Sequence, residues 1–136
     1  ILVAFAVFYL LGFVLTALVY AAAGSLVSRQ EDVQQVALPM LMLSFAAYFG
    51  AFFASSAPTA AWVAPLSWLP FFSPYLMLTR LLVGSVAPWE LALSIGLLVL
   101  AIVVALVIAA RIYAAGVLLY GQRPSVAGVI NAARSR

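Results

Sequence analysis

Cysteine and histidine are both absent from the chain. That removes the thiolate nucleophile, any disulfide framework, cysteine-based metal sites, and the commonest imidazole ligand and proton shuttle. Lysine is missing too, so the basic residues are all arginines. Charged side chains make up only 7% of the 136 residues, against about 25% in an average soluble chain. Without a Gly-rich loop followed by Lys and Ser or Thr, the sequence has no Walker A means of cradling nucleotide phosphates. The carboxylates, serines and tyrosines form no recognisable nucleophile–base arrangement, so no catalytic site is expected.

What is there in excess is apolar. The apolar share is 68%, where soluble domains have roughly 45–50%, and the mean hydropathy is +1.27. A water-soluble fold cannot cover so much apolar surface, so lipid is the expected solvent. The formal net charge of +3 and a pI near 9.7 do not indicate nucleic-acid binding, which needs a continuous basic stripe. Here the arginines gather only in the C-terminal tail, as Arg123, Arg134 and Arg136.

The charges fall between long uncharged runs. Residues 1–27 carry none and exceed the roughly 20 residues needed to cross about 30 Å of hydrocarbon. The chain opens at Ile1 inside this run, with no Met start and no basic n-region. The reading is therefore a cut-off span of a longer protein, not a signal peptide. Small residues recur along it, Gly12 with Thr16 and Ala17 with Ala21. Such spacing lets membrane helices approach closely, within one chain or between chains.

A polar stretch follows. Ser28, Arg29, Gln30, Glu31, Asp32, Gln34 and Gln35 must leave the hydrocarbon, either as a solvated turn or as a contact for a partner. Glu31 and Asp32 suit the N-terminus of the next helix, whose dipole favours negative charge. Residues 36–54 read as a second span, with Pro39 near its start, where a missing N–H costs least.

Residues 60–82 do not read as a clean span. Pro65, Pro70 and Pro74 would each free backbone groups that lipid cannot satisfy. Trp62, Trp68 and Tyr75 lie in the same stretch, and Trp and Tyr favour the headgroup boundary. Residues 60–89 are expected to form a re-entrant or interfacial hairpin of short helices. Arg80 and Glu90 flank the boundary, where they can pair or snorkel. Residues 91–110 form the cleanest span, ending at Arg111, with Tyr113 and the tail 111–136 beyond it.

The expected fold is thus all-α: three transmembrane helices plus a hairpin rich in proline and aromatic residues. The positive-inside rule places Arg29, Arg111, Arg123, Arg134 and Arg136 on the cytoplasmic side and Arg80 outside. A fourth full span would move Arg29 outside as well. Arg111, Tyr113 and Arg123 then act as a cytoplasmic anchor, and the protein is a multi-pass cell-membrane protein.

Three blocks of residues resemble a known family. The first is Ser28 through Gln35, followed by Pro39. The second is Phe72-Ser73-Pro74-Tyr75 with Met77 and Arg80, then Trp89-Glu90. The third, Ala110-Arg111-Ile112-Tyr113 through Gly121, resembles the segment just past the last span. Together, over roughly residues 21–125, they resemble the C-terminal half of ABC-2 type permeases, most of all the branch similar to the NatB sodium-export permease. Ala114 departs from the pattern, since many relatives carry a basic residue there.

The resemblance implies an exporter permease that is not itself an enzyme. It binds no cofactor, because ATP is hydrolysed by a separate ATP-binding cassette subunit, and it works beside a second permease copy or a homologous permease. The principal contact with that subunit would lie in a more N-terminal part of the protein, and Arg29, Glu31, Asp32, Gln34 and Gln35 are, by their cytoplasmic side and polarity, a secondary contact. In such permeases the hairpin before the last span sits in the outer leaflet, which agrees with the separate placement of residues 60–89 and of Arg80 and Glu90 as an outer-face pair. Two other readings remain open: a membrane scaffold or assembly protein, and an ion-coupled carrier. The carrier is disfavoured because no mid-span charge marks an ion pathway.

Overall fold

A computed structural model describes residues 1–27, 30–84 and 86–120, with the side chains of all of these except 30, 31 and 116–120. Every regular element among the described residues is helical: α1 (Leu2–Ser25), α2 (Gln30–Ser56), α3 (Val63–Trp68), α4 (Ser73–Val83) and α5 (Pro88–Tyr120). Three of them, α1, α2 from Asp32 and α5 through Ala115, are long and apolar enough to cross a membrane. The other two, of 6 and 11 residues, are far too short to do so.

Proline explains the division. Pro65 stands in the first turn of α3, Pro74 in the first turn of α4, and Pro88 opens α5. At these positions the missing N–H has no intrahelical acceptor to lose. Pro70 lies between α3 and α4. The residue before it, Leu69, is held extended at φ −68° and ψ 132°, because the proline ring clashes with a helical predecessor. Gly84 ends α4 in the left-handed conformation at φ 77°, and its N–H reaches the carbonyls of Arg80 and Leu81. A side chain would be strained there.

Two boundaries differ from the sequence expectation. The second long helix begins at Gln30, so Pro39 lies well inside it. Glu31 and Asp32 then occupy its first turn, which their charge favours, and the polar run is helical because Gln and Glu are good helix formers. The last helix does not stop at Arg111 but continues to Tyr120. An arginine ends the hydrocarbon-compatible stretch without disfavouring helix, whose backbone bonds are satisfied in either solvent.

The core is small. Phe8 and Leu15 of α1, Met77 of α4 and Leu98 of α5 are buried together. α1 packs mainly on α5, while α2 is joined to the rest chiefly through α4. Buried positions on the short helices, Val63 and Ser67 of α3 and Ser73, Leu76, Met77 and Arg80 of α4, recur at three- and four-residue spacing and form one inward face on each. Large apolar side chains, among them Phe45, Phe49, Phe52 and Phe53 on α2, stay exposed. An exposed aromatic face of this extent suits hydrocarbon or other helices, not water.

The first turn of α4 packs against α1. A Cβ placed on Gly12, near the middle of α1, would lie 2.7 Å from Cγ of Pro74. Backbone and proline ring therefore touch directly at that level.

Candidate functional site

Arg80 of α4 and Glu90 of α5 meet in one buried polar cluster. Arg80, in the last turn of α4, is 5% exposed. Its Nη2 donates to Oε2 of Glu90 at 2.5 Å, and its Nη1 donates to Oγ of Ser67 at 2.9 Å. Ser67 in turn donates to the carbonyl of Ala64 at 2.7 Å. Ser94 Oγ donates to the Ser67 carbonyl at 3.2 Å. Three elements are joined this way: the end of α3, the end of α4 and the first two turns of α5.

Helix geometry brings these groups together. Glu90 and Ser94 are one turn apart on α5 and share a face. Charge-assisted bonds of this kind are about twice as strong as neutral ones. Their enclosure raises the stakes, since a buried charge that loses its partner is left uncompensated. Alongside the cluster, Trp68 and Trp89 pack with ring centroids 6.0 Å apart and planes tilted by 54°. The indole N–H of Trp68 and the hydroxyl of Ser73 are buried without a hydrogen-bond partner among the described residues. The bonded groups form a structural tie rather than a reactive centre, because each hydroxyl is committed to a carbonyl or to the guanidinium.

A second feature lies on the other side of the hairpin. A cavity of about 400 Å³ opens between α1, α2 and the α3–α4 turn, with Tyr9, Phe13, Phe71 and Tyr75 in its wall. Its two small hydroxyl residues, Thr16 and Ser44, donate to the carbonyls of Gly12 at 2.8 Å and Met40 at 2.9 Å. No charged residue is in its lining.

The remaining residues singled out in the sequence are spread out. Asp32, Gln34 and Gln35 lie exposed at the start of α2, far along the chain from the hairpin. Glu31 is in the same first turn, with its side chain outside the described set. Arg29 and Arg123 lie outside the described residues. Arg111 and Tyr113 are exposed on α5. Ser67 and Ser94 escaped sequence reasoning. Each is a lone serine in an apolar run; Ser94 stands one helical turn from Glu90, whereas Ser67 is 13 residues from Arg80 and carries no local signal.

The comparisons with known proteins bear on this architecture. The family model described as "ABC-2 family transporter protein" matches residues 1–111, which includes α1 to α4 and most of α5. The uncharacterized protein YhaP of Bacillus subtilis is 41% identical over 128 residues, covering 94% of this chain and 30% of that protein. The uncharacterized protein MJ1024 of Methanocaldococcus jannaschii is 25% identical over 124 residues, covering 91% of this chain and 31% of that protein. The chain thus spans about a third of the length of the curated relatives it matches. No solved structure matches it. With its family match covering α1 to α4 and most of α5, the chain belongs to the ABC-2 family of transporter membrane proteins.

Proposed function

We propose that the chain is the C-terminal membrane part of an exporter permease, driven by ATP that a separate ATP-binding cassette subunit hydrolyses. The observation that carries this reading is the order of elements within the matched segment: span, span, hairpin, span. The chain itself supplies helices that can rock against one another. It is non-catalytic in this reading, and a second permease copy or a homologous permease completes the membrane unit.

The exposed polar start of α2, with Asp32, Gln34 and Gln35, is a secondary contact for the ATPase in this reading. It faces the cytoplasm, as does the tail after Arg111, while the hairpin enters and leaves on the outer side. The contact of Pro74 with the middle of α1 supports re-entry into the outer leaflet. Labelling of single cysteines at the two ends of α2 tests this orientation.

The functional reading is tested by gentle purification of the parent protein from its native membranes. The expected result is a P-loop ATPase present in stoichiometric amount, with hydrolysis that depends on the permease. Reversing charge at Glu31 and Asp32 should lower that hydrolysis more than it lowers expression. The NatB-like resemblance makes sodium the first cargo to assay, as ATP-dependent uptake into inverted vesicles. A clean preparation without ATPase, reproduced in several detergents, would favour a scaffold role instead.

A further inference from the structure

We infer that the cavity between α1, α2 and the hairpin turn is a seat for one hydrocarbon chain of a bilayer lipid. Depth is the first reason. Gly12 and Thr16 lie near the middle of α1 and Ser44 at the middle of the apolar part of α2, so the cavity sits halfway along both spans. At that level of a bilayer the surrounding solvent is acyl chain. Placement at this depth rests on the re-entrant orientation proposed above.

The wall chemistry selects the same occupant. The lining is uncharged, so an ion would be stripped of water with no opposite charge to receive it. Water needs two to four polar partners to stay in such a site. The hydroxyl protons of Thr16 and Ser44 are already spent on their own helices. What is left is the phenol hydroxyls of Tyr9 and Tyr75, on side chains that are 60% and 41% exposed, and otherwise ring faces and edges, with Phe5 and Phe13 on α1 and Phe71 from the hairpin. Its size, about 400 Å³, is within the roughly 300–1,000 Å³ range of small-ligand sites.

The shape is fixed by a rigid contact. Pro74 closes against the bare backbone of Gly12, which forms a floor that cannot swing aside like a flexible side chain. α2 supplies the opposite wall through Ser44. A lipid chain lodged there would fill the seam between α1 and α2, which pack on each other only sparsely. α2 can then shift without opening a void, because a lipid chain is deformable and replaceable.

The test uses the parent protein in vesicles of phosphatidylcholine and phosphatidylglycerol, with a trace of phosphatidylcholine carrying a diazirine at the end of one acyl chain. After photolysis, adducts are located by mass spectrometry of peptides. The expected result is saturable labelling of Tyr9, Phe13, Phe71 or Tyr75, reduced by competition with unlabelled lipid. Ser44→Trp, which fills the cavity, should cut those adducts roughly tenfold, the reading expected when a site is blocked by about 1.4 kcal/mol. Adducts on the exposed Phe52 and Phe53 of α2 should be unchanged.

Thr16→Phe blocks the cavity from the opposite wall and serves if Ser44→Trp fails to fold. Absence of cavity adducts in the unaltered protein, with Phe52 and Phe53 labelled, would overturn the proposal: another part of the parent chain would then fill the space. Insensitivity to both variants would overturn it as well. Labelling needs no ATPase, so failure of the exporter reading would leave this result intact. Failure of the lipid seat would likewise leave ATPase association untouched.

Discussion

Replacing Arg80 with Met is expected to destabilise the parent protein by about 3–5 kcal/mol, the usual cost of removing one partner from a buried ion pair. Arg80 and Glu90 have side chains only 6% and 14% exposed, so bulk water does little to screen the charge that is left behind. In Arg80→Met the orphan is the Glu90 carboxylate, and the Ser67 hydroxyl loses the donor at 2.9 Å. The reverse variant, Glu90→Leu, removes the carboxylate that pairs with the buried guanidinium.

The double variant Arg80→Met/Glu90→Leu should recover most of the loss, because apolar replacement of a whole buried pair is often neutral or stabilising. Thermal unfolding of the purified parent protein and its three variants closes the double-mutant cycle. Equal and additive losses in both single variants would show that the two charges do not depend on each other. In that event the cluster would not be what ties α3 and α4 to α5.

The second large effect is expected at Gly12. A methyl group there would lie 2.7 Å from Cγ and 3.0 Å from Cβ of Pro74. Since the ring is closed on its own backbone, the hairpin must move as a unit. Gly12→Ala should cost about 1–3 kcal/mol, the range for overpacking a fitted site. Larger residues should displace the hairpin altogether.

Gly96 provides the control. It lies inside α5, and a Cβ added there would meet nothing within 4 Å, so Gly96→Ala should gain about 0.5–1 kcal/mol from helix preference alone. The readouts are unfolding temperature and protease resistance of the 57–87 segment. A Gly12→Ala protein as stable as the Gly96→Ala protein would mean that the hairpin does not press on α1.

Much of the fold was legible because its causes are local. Uncharged runs marked the long helices, and Pro65, Pro70 and Pro74 marked where no long helix forms. Helix limits were less so. Gln30 to Gln35 looked like loop on polarity alone, yet polarity says where the chain meets water and not whether it is helical. Arg111 misled in the same way, as a charge within a continuing helix.

The site was harder to read, since it depends on contacts distant in sequence. Arg80 and Glu90 could be flagged as boundary charges, but Ser67 reaches Arg80 across 13 residues and Ser94 reaches Ser67 across 27. No spacing rule for a single helix finds such pairs. Gly12 and Thr16 were read as one small-residue stripe, whereas the structure gives them separate tasks. Gly12 receives Pro74, and Thr16 lines the cavity beside it.

A hairpin that enters and leaves the membrane on one side is the central claim, and cysteine labelling tests it most directly. The chain contains no cysteine of its own. With the parent protein otherwise free of cysteine, single substitutions at Asp32, Thr59 and Ala87 can be probed in intact cells with a membrane-impermeant maleimide. Labelling of Thr59→Cys and Ala87→Cys from outside, and of Asp32→Cys only after the membrane is opened, is the predicted result. Labelling of Thr59→Cys and Ala87→Cys from opposite sides would contradict it, because residues 60–86 would then cross the bilayer as a fourth span.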